Sequence, residues 1–300
     1  TFGFSDGDES WEFSNNTSDR CLFKSADFSG TDWTNDFESR YPDDDAINAE
    51  YEAGTRKPEK LMAVTSWVVS TKDNLDKFKN EVRNHFNLDN LIAYYLITEL
   101  FGMVDQRAKN MFLTYFHEEG KWIFIFYDND TCFGLNNEGL IAFGYNIEYH
   151  DKIGTLNVWN GESSVLWNNL EKCFPSEIEA MYKDIRTRGL LSYDLIMSVL
   201  NGEQSDKWCE AIYNADGRFK YIDPLIEEGN GSYLYAAQGS RIENRKWWTY
   251  NRFLYIDSKY TAGSFLSDFA TLRLYTPREW TGVSPSANMT IIPYADQYTR

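Results

Sequence analysis

Residues 86–134 read FNLDNLIAYYLITELFGMVDQRAKNMFLTYFHEEGKWIFIFYDNDTCFG, and this stretch decides the fold. Asn87 is a typical N-cap for an apolar, largely buried helix that ends near Gly102. The runs "MFLTYF" and "KWIFIF" predict two strands, and the turn residues "HEEG" join them as a β-hairpin. The second strand, with its apolar run 123–127, is predicted to be buried on both faces. The stretch therefore predicts a helix, a short loop and a hairpin.

Polar residues flank this predicted hairpin on both sides. Asp105 and Asn110 come before it, and Asp128 and Asp130 follow it. Because a hairpin brings its two flanks together, these four residues should converge at one end of the sheet. Carboxylates at the end of a buried strand are costly unless something pairs with them. The convergence therefore indicates a site for a cation or another polar ligand.

The spacing of these residues matches a known chemical arrangement. Asp105 and Asn110 have the D-x-x-x-x-N separation of the protein-kinase catalytic loop, where the Asp accepts a hydroxyl proton and the Asn holds a metal. A further Asp after a hairpin would then bind Mg²⁺. Each motif alone is weak, because Asp commonly bonds local backbone in strand-end turns. Asp105 could equally end a helix, and Asn110 could start a strand.

Composition excludes some classes of protein. The net charge of -17 argues against non-specific nucleic-acid binding, which needs Lys and Arg against phosphate. A phosphate ligand would therefore need a metal ion or a local cluster of cations. No run of about 18 apolar residues is present, so no membrane span is predicted. The four cysteines are too sparse for a disulfide framework in a chain of 300 residues.

The rest of the chain predicts an α+β fold with a helix-rich second half. Short strands are expected at "SWEF" and "RCLFKSADF", and helices follow Pro58 and span Leu75–Phe86. Prolines break the strand-like runs after residue 262. Since the chain begins with Thr1, we expect a segment of a longer protein, with one domain over 1–262 and the start of a β-rich segment over 263–300. Further helices are predicted at 175–187, 192–200, 205–214 and 236–260.

About 50 residues around the hairpin resemble the core of the spore-coat CotH family of atypical protein kinases. The family pattern has an aspartate after a long helix, an asparagine before a strand, a Gly-Lys-Trp turn and a Trp-Asp-x-Asp ending followed by a glycine. The matching residues here are Asp105, Asn110, Met111-Phe112-Leu113, Gly120-Lys121-Trp122 and Tyr127-Asp128-Asn129-Asp130 with Gly134.

The resemblance implies a minimal kinase-like fold without a glycine-rich loop. It implies ATP with Mg²⁺ or Mn²⁺ and phosphate transfer to Ser or Thr of a protein. Asp105 would be the catalytic base, Asn110 a ligand on the metal side of the nucleotide, and Asp128 the principal metal ligand. Asp130 would be a second ligand or a structural acceptor. Lys24 resembles the family's lysine near the nucleotide, although a lysine on a strand is commonly a solvated charge.

The sequence departs from this pattern and from ordinary kinases at identifiable positions. Tyr127 replaces the usual Trp, and Met103-Val104 stand where eukaryotic kinases have His-Arg. These departures argue against an ordinary eukaryotic-type kinase. A D-x-D motif also occurs in glycosyltransferases that hold a nucleotide-sugar through Mn²⁺, but this chain lacks their alternating βαβ pattern.

A second resemblance concerns the setting of the domain. The runs "LFKSADF", "ESRYPDDD", "NNEG", "NGESSVLWNNL" and "AAQGSRIENRKWWTYNRFLYIDSKY" look like CotH-like domains in large tail or neck proteins of bacteriophages. This implies a location in the phage virion, with neighbouring virion proteins and other domains of a longer chain as partners, and a protein phosphoacceptor if the site is active. The competing interpretation is a non-catalytic structural component that keeps the kinase-like fold. The retained carboxylates favour a working nucleotide site, although they could also hold a structural metal.

Overall fold

The structure is a computed structural model that describes residues 3–103, 105–129, 131–135, 144–148, 163–200 and 241–261. It combines α-helices with an antiparallel sheet, which confirms the predicted α+β class. The chain divides into two compact units, Thr1–Cys132 with Glu148–Met181 and Phe133–Ile147 with Tyr182–Arg300. The predicted segment 263–300 lies outside the described residues, so the boundary at 262 stays a prediction.

A four-stranded antiparallel sheet lies in the first unit, in the order β2-β1-β3-β4. Trp11, Leu113 and Phe124 are paired across β1, β3 and β4, and all three are buried. Their row is the core face of the sheet, as expected for side chains that alternate between the two faces of each strand. The strands are β1 (Glu9–Phe13), β2 (Phe37–Tyr41), β3 (Met111–Phe116) and β4 (Lys121–Phe126).

The helices confirm most of the periodicity-based predictions. Asn74 and Asn87 cap their helices through side-chain oxygens, and Gly102 ends one with a left-handed φ of 54°. The helix α5 was not predicted, and the helix predicted at 205–214 lies outside the described residues. The described helices are α1 (Asp45–Glu52), α2 (Glu59–Ser70), α3 (Leu75–His85), α4 (Leu88–Phe101), α5 (Val165–Cys173), α6 (Pro175–Thr187), α7 (Tyr193–Leu200) and α8 (Arg241–Tyr260).

One strand prediction was wrong. The run "RCLFKSADF" forms turns instead of a strand, because the amides of Lys24 and Ser25 both donate to the carbonyl of Asp19. Phe23 has a φ of 53° in this turn and lies buried, so the apolar residues reflect burial and not a strand. The strand β2 occurs instead in "FESRY", which alternates buried and more exposed residues.

β4 is also not buried on both faces as predicted. It lies at the edge of the described sheet, and only Trp122 and Phe124 are buried along it. Tyr127 follows the strand and is 40% exposed, with its ring stacked on Phe112 at a centroid distance of 4.6 Å. The apolar run therefore reflects one buried face and one half-buried face.

The helix α4 runs along the outer edge of β4 in the same direction as the strand. The amide of Asn87 donates to the carbonyl of Trp122 at 3.0 Å. The side-chain amide of Asn90 donates to the carbonyl of Phe124 and accepts from its N–H, at 3.1 and 2.7 Å. The loops after α4 and after β4 therefore leave at the same end of the sheet.

The second unit has its own buried polar contact. Asp257 on α8 accepts bonds from the hydroxyl of Tyr182 at 2.6 Å and from the guanidinium of Arg186 at 2.8 and 2.9 Å, both on α6. This contact ties the part of α6 that follows Met181 to α8. Among the described helices, including the 20-residue α8, none combines the length and apolar character needed to cross a membrane.

Candidate functional site

The two loops at this end of the sheet bring together three of the predicted site residues. Met111 pairs with Phe126 in the hairpin, so Asn110 and Tyr127 are the next residues on the two strands. The two aspartates are near each other, because the charge of the Asp128 carboxylate helps to raise the pKa of Asp105. The predicted convergence therefore holds for Asp105, Asn110 and Asp128, whereas Asp130 lies outside the described residues.

The backbone is unusual at all three of these positions. Asp105, Asn110 and Asp128 have φ values of 78°, 54° and 50°, in the left-handed region. Asp and Asn enter this region more readily than other residues with a Cβ, but it still costs roughly 1 kcal/mol or more per residue. Strain of this kind gathers at functional sites, where the surrounding contacts maintain it.

Asp105 is half-buried and held by one specific donor. The side-chain amide of Asn16, in the turn after β1, donates to its Oδ1 at 2.6 Å. Burial raises the pKa of Asp105 above its ordinary value, and the charge of Asp128 adds to this. The bond from Asn16 and the charge of Lys109 oppose the increase without cancelling it. A carboxylate in this position is suited to accept a proton.

Asn110 and Asp128 are fixed through their main chains. Asn110 is only 6% exposed, and its amide donates to the carbonyl of Phe13 on β1 at 3.0 Å. Asp128 has an exposed side chain, and its carbonyl accepts from Nε2 of the buried Gln106 at 2.8 Å. Gln106 was not predicted as a site residue, because a single glutamine in a loop carries no recognisable pattern.

A buried ion pair supports the loop that carries Asp105. Arg107 and Glu99 are 0% and 1% exposed and approach to 2.8 Å. The guanidinium also donates to the hydroxyl of Thr98 and the carbonyl of Tyr95, at 2.8 and 3.0 Å. The indole N–H of Trp167 on α5 donates to the carbonyl of Arg107 at 2.8 Å. The loop is therefore anchored to both α4 and α5.

Lys24 lies in a turn, and its ammonium pairs with Asp19. The distance from Nζ to Oδ1 is 2.9 Å, and about a third of the lysine side chain is exposed (34%). Within the described part of the chain, its ion pair and main-chain bonds stay inside this turn and do not reach Asp105 or Asp128. The assignment of Lys24 to the nucleotide stays a prediction.

The donor set suits a divalent cation that also binds phosphate. In the described ranges there is no group of three or more His, Cys, Asp or Glu side chains able to hold a metal. Mg²⁺ does not need such a group, because it commonly takes one or two carboxylates together with phosphate oxygens and water. The carboxylate of Asp128 and the amide of Asn110 provide oxygen donors, and the charge of Asp105 adds to the attraction. These residues therefore fit a metal–phosphate ligand.

Comparison with known protein families identifies the chain. The family model described as "CotH kinase protein" matches residues 8–194, which is more than half of the chain. The chain therefore belongs to the CotH kinase protein family, as its sequence around the hairpin predicted. Asp105, Asn110 and Asp128 all lie inside the match. A search of curated proteins and a search of solved structures each gave no significant match.

We expect Asp105→Asn to stabilise the fold near pH 7 by about 1 kcal/mol, a few degrees in Tm. The folded pKa of Asp105 is raised, so its contribution to stability is fully present below the ordinary value of 3.8 and lost as pH rises through the folded value. Asn keeps the acceptor for Asn16 and never ionises. The extra stability of Asp105→Asn should therefore appear only at pH values above the folded pKa of Asp105. Thermal melts between about pH 3.5 and 8 measure this difference.

Asp8→Asn is a control in which the expected change in stability has the opposite sign. Burial raises the pKa of Asp8, but the donors on Ser5 and His117 outweigh it and leave the pKa lowered. Removing this carboxylate should therefore destabilise the fold at neutral pH, and the loss should shrink as pH falls. An Asp105→Asn effect that stays the same at every pH would contradict the burial argument.

Proposed function

We propose that the chain binds ATP with Mg²⁺ or Mn²⁺ and transfers phosphate to a Ser or Thr hydroxyl of a protein. The observation that carries this proposal is the convergence of Asp105, Asn110 and Asp128 on two adjacent loops, in a member of the CotH kinase protein family. The half-buried Asp105 would take the proton of the acceptor hydroxyl, because a base works best when its pKa approaches the working pH. Asn16 would hold that carboxylate in place.

The remaining roles concern the nucleotide. Asp128 and Asn110 would hold the cation, with Asp130 as a second ligand, and Lys24 would contact a phosphate. When bound, the cation would neutralise the charge of the phosphates. This need is acute in a chain with a net charge of -17, whose carboxylates would otherwise repel a nucleotide.

We also propose that the chain is a module of a bacteriophage virion protein of the tail or neck region. Its partners would be other domains of a longer chain, neighbouring virion proteins and a protein phosphoacceptor. The support is the similarity of several stretches to CotH-like domains in such proteins. A non-catalytic structural component that keeps the kinase-like fold is the second candidate, because the same residues could hold a structural metal instead of a nucleotide.

Saturating Mg·ATP is expected to raise the Tm of the chain by several degrees, and Asp128→Asn should abolish this rise. A ligand at about 100 times its Kd adds ~2.7 kcal/mol to the free energy of unfolding, and losing the metal ligand removes this gain. Asp73→Asn, the same substitution at an exposed turn, should keep the full shift. No shift in the parent chain at millimolar Mg·ATP would contradict the proposal and favour the structural component.

A further inference from the structure

Gln106 is the residue that joins the two loops of the site. It follows Asp105 in the sequence, and its side chain is fully buried. Its Nε2 donates to the carbonyl of Asp128 at 2.8 Å and lies 3.5 Å from that of Tyr127. The hydroxyl of Thr131 contacts its Oε1 at 3.4 Å. One amide therefore reaches three residues of the loop after β4.

The main chain of Gln106 is fixed independently of that loop. Its carbonyl accepts from the hydroxyl of Tyr94, in the middle of α4, at 2.7 Å. The next residue, Arg107, is held by α4 and by Trp167 of α5. Because the backbone of Gln106 is anchored to α4, the bond from its side chain makes the position of Asp128 depend on that of α4.

Asp128 needs such a support. Its side chain is exposed, its φ of 50° is strained, and the like charge of Asp105 repels it. Without a tie to its main chain, the residue could relax toward solvent and away from Asp105. The bond from Gln106 opposes both the strain and the repulsion.

We infer that Gln106 is a positioning residue that sets the separation between the proton-accepting Asp105 and the cation-binding Asp128. This inference rests on the proposed function. The side chain of Gln106 is fully buried, so it would contact neither the nucleotide nor the acceptor directly. It would act on the geometry of Asp105 and Asp128 by holding the carbonyl of Asp128. A misplacement of about 1 Å at such a site can cost about a hundredfold in rate.

The test compares Gln106→Met with Asn90→Leu in the 300-residue chain. Asn90 is a matched control, because its amide also joins α4 to the main chain of β4, but at Phe124. Both variants lose a side-chain bond to the strand segment, so both should lower the Tm. Two further measurements then separate positioning from stability. They are the dissociation constant of Mn²⁺·ATP, obtained by water-proton relaxation, and the kcat for phosphate transfer.

We expect Gln106→Met to weaken Mn²⁺·ATP binding about tenfold, the equivalent of one lost buried hydrogen bond, and to lower kcat by at least about tenfold. Asn90→Leu should change both by less than about twofold. If Gln106→Met does not fold, Gln106→Asn keeps an amide but is one methylene shorter, so its N–H no longer reaches the carbonyl of Asp128, and the same effects are expected. Equal changes in the Gln106 and Asn90 variants would overturn the inference. A parent chain that binds no Mn²⁺·ATP would instead overturn the proposed function, and this inference with it.

Discussion

Asp105→Asn is expected to lower the kcat of phosphate transfer by about 10²–10⁴-fold while the chain still binds Mg·ATP. The expected loss of rate is the typical contribution of a general base. In the proposed reaction this base acts only on the proton of the acceptor hydroxyl. Asn has nearly the same shape and keeps an oxygen for the 2.6 Å bond from Asn16. The fold and the proposed cation ligands Asp128 and Asn110 should therefore be preserved.

The measurement pairs a single-turnover transfer assay with the thermal shift by Mg·ATP. Asp105→Asn should lose transfer and keep most of the shift, with a change in Kd of less than about tenfold. Asp128→Asn should lose both. Transfer by Asp105→Asn at more than a tenth of the parent rate would show that another group takes the proton.

Arg107→Met is expected to lower the free energy of unfolding by about 3–5 kcal/mol. Arg107 and Glu99 are both fully buried, and the guanidinium lies 4.1 Å from the ring centre of Tyr95. Removing the guanidinium takes away the positive charge that balances a buried carboxylate, and it also removes the bonds that anchor the loop to α4. Urea denaturation measures the change.

Two further variants test whether the uncompensated charge is the cause. Glu99→Leu in the Arg107→Met background should recover much of the loss, because no charge is then left in the core. Arg56→Met removes an exposed ion pair with Glu50 and should cost less than about 1 kcal/mol. A double variant as unstable as Arg107→Met alone would assign the loss to packing instead of charge.

The parts of the fold that local sequence determines could be predicted. The spacing of apolar residues in α4 and the turn between β3 and β4 depend only on neighbouring residues, so both were predicted correctly. Once α4 and the hairpin are placed, Asp105, Asn110 and Asp128 must lie at one end of the sheet. The convergence of these residues was therefore accessible from about 50 residues of sequence.

The supporting residues were missed because their partners are distant in the sequence. Asn16 is 89 residues from Asp105, and Trp167 is 60 residues from Arg107. A local pattern holds no information on such pairs, and a buried arginine in a loop has the same sequence signal as an exposed one. Gln106 has a partner only 22 residues away, but the pairing depends on how the two loops approach.

The apolar turn around Phe23 was mistaken for a strand for a related reason. Burial there comes from a compact turn that packs Phe23 against Phe13 of β1, with ring centres 5.6 Å apart. The same apolar residue types would be expected in a buried strand. Hydrophobicity indicated correctly that this segment is buried, but it did not distinguish a turn from a strand.

The position of α4 along β4 would limit how the proposed protein substrate approaches. An exposed strand edge invites an extended peptide to add as a further strand, which is a common way of recognising protein segments. Here the main-chain amide of Asn87 already occupies the carbonyl of Trp122, and the side chain of Asn90 occupies both main-chain groups of Phe124. The edge of β4 at these two residues is thereby closed to a docking peptide. If the proposed phosphate transfer holds, selection of an acceptor serine or threonine would then depend more on side chains around the loops. This favours recognition of a folded surface over recognition of an extended sequence motif.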